Sequence, residues 1–128
     1  MSENIQLSVI CCDDSPARHS QLITRSMPLA DLEPLVISTE VQELPAGRAR
    51  GLHLAAADAE HGKVTYLQEI LEGGFFVYVG QSDNLQEHWL GPGCWAAFCD
   101  HEGTGHASRV GPNGCKRRFR LLRGLLIP

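Results

Sequence analysis

Two glycines followed by five aromatic or β-branched residues, Gly73-Gly74-Phe75-Phe76-Val77-Tyr78-Val79, constrain this chain more than any other segment. Such side chains favour a pleated, half-buried surface, and paired glycines disfavour a helix across them, so the run reads as a strand entered from a turn. It opens a stretch, Gly73 to Cys115, that carries six of the chain's eleven Cys and His residues: His88, Cys94, Cys99, His101, His106 and Cys115. Chemistry is expected here first. Trp89 and Trp95 also fall in this stretch, and both are expected to be buried or to lie at a subunit contact.

Around this stretch the chain alternates strand and turn signals. Ile5, Leu7, Val9 and Cys11 alternate with mostly polar neighbours and predict a strand with one buried face. Asp13-Asp14-Ser15-Pro16 then turns the chain. Ser15 as N-cap with Pro16 at the first helical position predicts a helix running to about Ser26. Leu35–Leu44, bracketed by Pro34 and Pro45, predicts a second strand. Residues 63–71 fit either a helix, with Val64, Leu67, Ile70 and Leu71 on one face, or a strand entering a hairpin at Glu72-Gly73-Gly74; the hairpin is preferred. Leu85–Leu90 reads as a helical turn or irregular link, and Cys94–Cys99 as a short apolar strand. Asp100–Gly114, rich in glycine, reads as a long loop. The predicted fold is α+β: a small single domain, residues 1–128, of mainly antiparallel short strands with one N-terminal helix. The overall makeup, 43% hydrophobic and 20% charged, is that of an ordinary globular chain and excludes a disordered one.

The net charge of −4 hides an asymmetry. Residues 1–102 carry fifteen acids against five bases, whereas residues 103–128 carry six bases and no acid. The basic end therefore either pairs with the chain's own acidic front or docks on an anionic partner. Read as a strand, Cys115, Arg117, Phe119 and Leu121 share one side and Arg118 and Arg120 the other, with the strand expected at a charge-protected sheet edge. Arg117, Arg118, Phe119 and Arg120 are the candidate interaction residues. Five cysteines without a basic, apolar leader point to reduced thiols and a cytoplasmic setting, and no apolar run is long enough to span a bilayer.

Cys94, Cys99, His101, His106 and Cys115 offer the soft sulfur and imidazole donors that suit tetrahedral zinc, although their spacing is not a paired C-x2-C frame. They are the candidate metal ligands, and the expected cofactor is none or zinc. His101-Glu102-Gly103-Thr104-Gly105-His106 is one residue too long for a zinc-protease H-E-x-x-H helix. Gly91-Pro92-Gly93-Cys94-Trp95-Ala96 locally resembles the nucleophile segment of papain-type proteases, but only thirty-four residues follow Cys94.

The run Tyr78-Val79-Gly80-Gln81-Ser82-Asp83-Asn84-Leu85 resembles the second signature of the GIY-YIG nucleases, with Tyr66 twelve residues before Tyr78 and His88 where the family places a catalytic arginine. The resemblance spans residues 62–91. It implies a metal-dependent nuclease with Tyr66, Tyr78 and His88 as catalytic candidates, while the family's arginine and metal-binding glutamate are not matched. Because each catalytic constellation lacks a member, the leading expectation is a small soluble intracellular interaction or assembly protein without catalytic activity. It would self-associate or bind a protein partner, with no membrane association. The alternatives are a GIY-YIG-like protein that cleaves or binds nucleic acid, with binding through the basic C-terminal segment, and a zinc-binding module built on Cys94–Cys115.

Overall fold

A computed structural model of the chain describes residues 3–81 and 83–126. Ser82, part of the GIY-YIG-like run, lies outside them. Eight strands follow one another: β1 (Asn4–Cys12), β2 (Ser20–Pro28), β3 (Val36–Leu44), β4 (Ala49–His53), β5 (Val64–Gln81), β6 (Asn84–Leu90), β7 (Trp95–Phe98) and β8 (His106–Arg123). The described helix is one α-helical turn, α1 (Leu29–Leu32), continued by a 3-10 turn at Glu33–Leu35. The α+β expectation is therefore wrong: this is a β protein.

The predicted N-terminal helix is strand β2, paired antiparallel with β1 from Asn4↔Pro28 to Cys12↔Ser20. The turn that permits this pairing is built locally. Asp13, not Ser15, organises the turn: its Oδ1 accepts hydrogen bonds from the Ser15 amide, the Ser15 hydroxyl and the His19 amide. That Asx-type turn, closed by Asp13 N–H donating to the His19 carbonyl at 2.8 Å, makes a hairpin connection rather than a helix cap.

The frame is the pairing of β5 with β8, each eighteen residues long. They run antiparallel from Val64↔Arg123 to Tyr78↔Ala107, with the register broken between Ile70 and Glu72 and again between Gly73 and Phe75. The expected hairpin at Glu72-Gly73-Gly74 is thus a bulge inside one continuous strand, and residues 64–71 are strand rather than helix. Gly73 takes φ +67°, and a Cβ there would collide with the Gly114 carbonyl. Only glycine lets the two backbones approach this closely.

On one side of this break the order is β2-β1-β7-β5-β8-β3, with β1 and β7 parallel and the other neighbours antiparallel. On the other side β5 gains β6 and β8 gains β4. Leu85–Leu90 is therefore a strand, because its side chains pair with Phe75–Gly80 across the sheet. The expected loop over 100–114 is strand from His106 onward, its glycines Gly111 and Gly114 serving the bend instead. The arginine-rich last strand is interior, not an edge, since β5 and β3 flank it.

One apolar cluster joins Ile10, Ile70, Phe75, Val77, Phe98 and Val110. A second, on the other face, joins Leu7, Val9, Leu67 and Leu122 with Leu32 of α1. Trp95 is partly buried against that second cluster, with the Arg120 guanidinium 5.1 Å from its ring centroid. Trp89 is 48% exposed, contrary to the expectation of burial within the chain. Its ring lies where side chains on Gly74, Gly91 and Gly111 would otherwise stand, so it covers the bend from outside. Among the described residues no helix is long and apolar enough to cross a membrane.

The bend yields a paired test. Gly73→Ala should lower stability by at least about 2 kcal/mol, combining left-handed strain with a backbone clash. Gly47→Ala, at φ +78° with open space around it, should cost only about 1 kcal/mol. Urea midpoints of the two variants read the difference, and equal midpoints would remove the close-approach argument.

Candidate functional site

Strand alternation puts Tyr66, Gln68, Arg117 and Phe119 on the inner face of one half of the β5–β8 ladder. Phe75, His106, Ser108 and Val110 come from the other half. The bend brings both sets around a cleft of about 610 Å³, a volume ordinary for small-molecule sites. β3 adds Gln42 and Leu44, and the segment through β4 adds Arg48, Arg50 and His53. The wall is aromatic at its centre: Tyr66 and Phe119 lie 5.6 Å apart, and Phe98 lies 6.4 Å from Phe75 and 4.7 Å from the His106 ring.

Arg117 is the most informative cation. Its Nε donates to Gln42 Oε1 and its Nη1 to Gln68 Oε1, both at 2.8 Å. Both acceptors are neutral amides, so the guanidinium is oriented without being neutralised. Burial pushes its pKa down from the ordinary arginine value, and the like charges of Arg48 and Arg50 act in the same direction, while Glu40, which accepts from Gln42 Nε2 at 2.6 Å, acts against them. Among the described residues no carboxylate forms an ion pair with any of these three arginines. Glu43 is the one acid in the cleft wall. A partly desolvated cation with no acid in direct contact is costly, and an anion entering the cleft would offset that cost.

The second feature is a buried relay. Asp100 is fully buried, and its Oδ2 accepts from Ser20 Oγ and from His106 Nδ1, each at 2.6 Å. A carboxylate oxygen already accepting the serine proton needs a donor from the imidazole, so His106 donates from Nδ1, and the neutral tautomer compatible with this contact carries its lone pair on Nε2. His106 lines the cleft and Asp100 does not; Nε2, the ring nitrogen not bonded to Asp100, has no hydrogen-bond partner among the described residues. Asp100 Oδ1 likewise has no partner among them. His53 stacks on His106 at 4.3 Å between centroids while its Nδ1 donates to the Gly51 carbonyl at 2.7 Å. Burial pushes the His53 pKa down, and His106 beside it adds to the shift, which keeps this ring neutral at neutral pH. Gly105 (φ +83°) permits the contact, because a Cβ there would strike the His53 backbone.

The sequence-derived candidates separate. Of the five expected metal ligands, His106 lines the cleft, whereas His101 Nε2 donates to the Val64 carbonyl at 2.7 Å and Cys99 Sγ sits 3.4 Å from Thr65 Oγ1. Cys94 packs at the rim of the apolar cluster that contains Cys115, and burial pushes the Cys115 thiol pKa up. Among the described residues no group of three or more His, Cys, Asp and Glu is placed to hold a metal ion. Of the nuclease-like set, Tyr66 is in the cleft wall and donates to the Ala56 carbonyl. Tyr78 donates to Glu87, and His88 stands opposite Val77 on β6, neither lining the cleft. Of the interaction set, Arg117 and Phe119 face the cleft. Arg118 and Arg120 face away and share Glu69 at 2.8 and 3.3 Å, which pairs the basic end with the acidic front.

Ser20, Gln42, Arg48, Arg50, Gln68 and Asp100 escaped the sequence reading. The available signal was polarity inside apolar strands: Gln68 between Leu67 and Glu69-Ile70, and Asp100 directly after Phe98-Cys99. No protein-family model matches the chain, and no curated protein and no solved structure matches it.

The relay has a spectroscopic signature. In long-range proton–nitrogen correlation spectra at neutral pH, His106 should show a protonated Nδ1 and an unprotonated Nε2. Asp100→Asn should move population toward the other tautomer and cost about 2–3 kcal/mol of stability, since the carboxylate's charge-assisted hydrogen bonds are lost. An Nε2–H signal in the unmodified protein would contradict the relay.

Proposed function

We propose that the protein binds a small amphipathic organic anion in the cleft, its carboxylate or phosphate against Arg117, Arg48 and Arg50 and its apolar body against Phe98, Phe75 and Phe119. The observation that carries this reading is Arg117, a partly buried guanidinium fixed by two neutral glutamines and paired with no acid. A guanidinium held in that way is pre-oriented for bidentate contact with a planar anion. The aromatic walls supply the larger share of burial and favour a ligand with a flat or branched apolar part.

A second reading rests on Trp89. Its exposed ring packs 4.8 Å from Phe76, over which the Arg109 guanidinium sits at 5.1 Å. A half-exposed tryptophan beside an arginine is the composition of a protein contact, and it supports the expected self-association through the β6 face. Sedimentation of Trp89→Ser against the unmodified protein decides this reading. An unchanged oligomeric state would remove it.

The cleft reading is tested by thermal shift and calorimetry with 3-phenylpropionate as probe. At a concentration one hundred times its Kd the probe should stabilise the protein by about 2.7 kcal/mol through mass action. Arg117→Gln should abolish that shift while changing the stability of the ligand-free protein by no more than about 1 kcal/mol, because the arginine's desolvation cost disappears with its hydrogen bonds. Binding that survives Arg117→Gln unweakened would overturn the assignment.

A further inference from the structure

We infer that His106, through Nε2, is a catalytic acid/base group that moves a proton to and from a carbon of the bound anion next to a carbonyl, with Asp100 and Ser20 as positioning residues. This rests on the cleft reading above and replaces the expectation of a chain without catalytic activity. The argument starts from the direction of the relay. In a nucleophilic triad a hydroxyl or thiol donates to the imidazole. Here the Ser20 hydroxyl is bonded to Asp100 instead, at 2.6 Å, and no cysteine lines the cleft. Of the hydroxyls that do line the cleft, Tyr66 donates to the Ala56 carbonyl and Ser108 makes no hydrogen bond to His106 among the described residues, so Nε2 activates no protein nucleophile. A base that is buried, tautomer-locked and unoccupied on its cleft side acts on the ligand directly.

The step balances without a co-reactant. The ligand's C–H bond breaks, its electron pair delocalises into the adjacent carbonyl as an enolate, and the proton forms a bond to His106 Nε2. The resulting imidazolium is stabilised by the Asp100 carboxylate at Nδ1. Return of the proton to the same carbon gives exchange with solvent, and its delivery to the oxygen gives the enol tautomer. The second negative charge of the enolate develops in a cleft whose charged wall groups are three arginines and one glutamate. The field that holds the anion thus also lowers the barrier. His53, stacked on His106 and kept neutral by burial, adds no cation that would oppose proton uptake. The substrate class is a 2-oxo acid with an aromatic or branched apolar side chain.

Phenylpyruvate in deuterated buffer is the probe, with loss of its benzylic proton signals followed by nuclear magnetic resonance and its binding followed by calorimetry. The unmodified protein should accelerate exchange in proportion to its concentration. His106→Gln should bind phenylpyruvate within a few-fold of the unmodified affinity and lose about 100-fold or more of the exchange rate. Asp100→Asn should lower kcat about tenfold or more with KM within about twofold, a split that general loosening of the fold would not give. Binding by the unmodified protein with exchange at the buffer rate overturns the inference and leaves the cleft reading intact. So does an unchanged rate in His106→Gln. Failure of both phenylpyruvate and 3-phenylpropionate to bind overturns the cleft reading and the inference together. The first measurement uses the unmodified protein, so the outcome does not depend on any variant folding.

Discussion

The structure depends on one long antiparallel ladder that is made to change direction. Eighteen residues of β5 pair with eighteen of β8, and a ladder of that length in a small protein has to twist, curl or break to close around a core. Here it breaks at glycines on both strands, Gly73-Gly74 facing Gly111 and Gly114. The bulges keep the hydrogen bonding continuous on either side while redirecting the strands. Each half then recruits its own flanking strands, and the inner faces of the two halves become opposite walls of the cleft. The cleft and the core share residues, Phe75, Phe98 and Val110 among them. Loss of the bend would therefore remove the site along with the packing.

Strand alternation on β8 divides the chain's positive charge between two tasks. On the outer face Arg118 and Arg120 converge on Glu69, within a partly exposed contact of modest energetic weight. On the inner face Arg117 meets two amides and no acid. The difference is that Glu69 and Gln68 are neighbours in sequence and so point to opposite faces of β5. One face is closed by direct ion pairs and the other is left with a cation that no acid contacts directly, and that cation gives the proposed anion site its direction. Asp100 adds the complementary feature. Its buried carboxylate is committed to Ser20 and His106, so the one deep negative charge near the cleft is spent on orienting an imidazole rather than on neutralising an arginine.

The sequence by itself determined where β1, β3, β5 and β7 lie and which of their side chains share a face. Val36–Leu44, Trp95–Phe98 and the run through Phe75–Val79 follow directly from β-branched and aromatic content and from bracketing prolines and glycines. The separation of Arg117 and Phe119 from Arg118 and Arg120 follows from a period of two, which is a property of the strand and needs no partner. What each strand pairs with is a different matter, and there the local signals misled. Ser15-Pro16 reads as a helix start, yet the β1 edge captured Ser20–Pro28, because nine residues of ladder outweigh one cap. Gly73-Gly74 reads as a hairpin turn, yet with β8 alongside, the same backbone freedom serves a bulge. Tertiary structure alone decided the site. His53, Ser20, Asp100 and His106 come from four separate segments, and Gln42, Gln68 and Arg117 from three. Their convergence is set by long-range pairing and by the bend, neither of which leaves a spacing in the sequence. The Cys and His residues that stand close in sequence do not share a strand face: Cys94, Cys99 and His101 lie in the segments flanking β7, and His106 and Cys115 sit in opposite halves of β8.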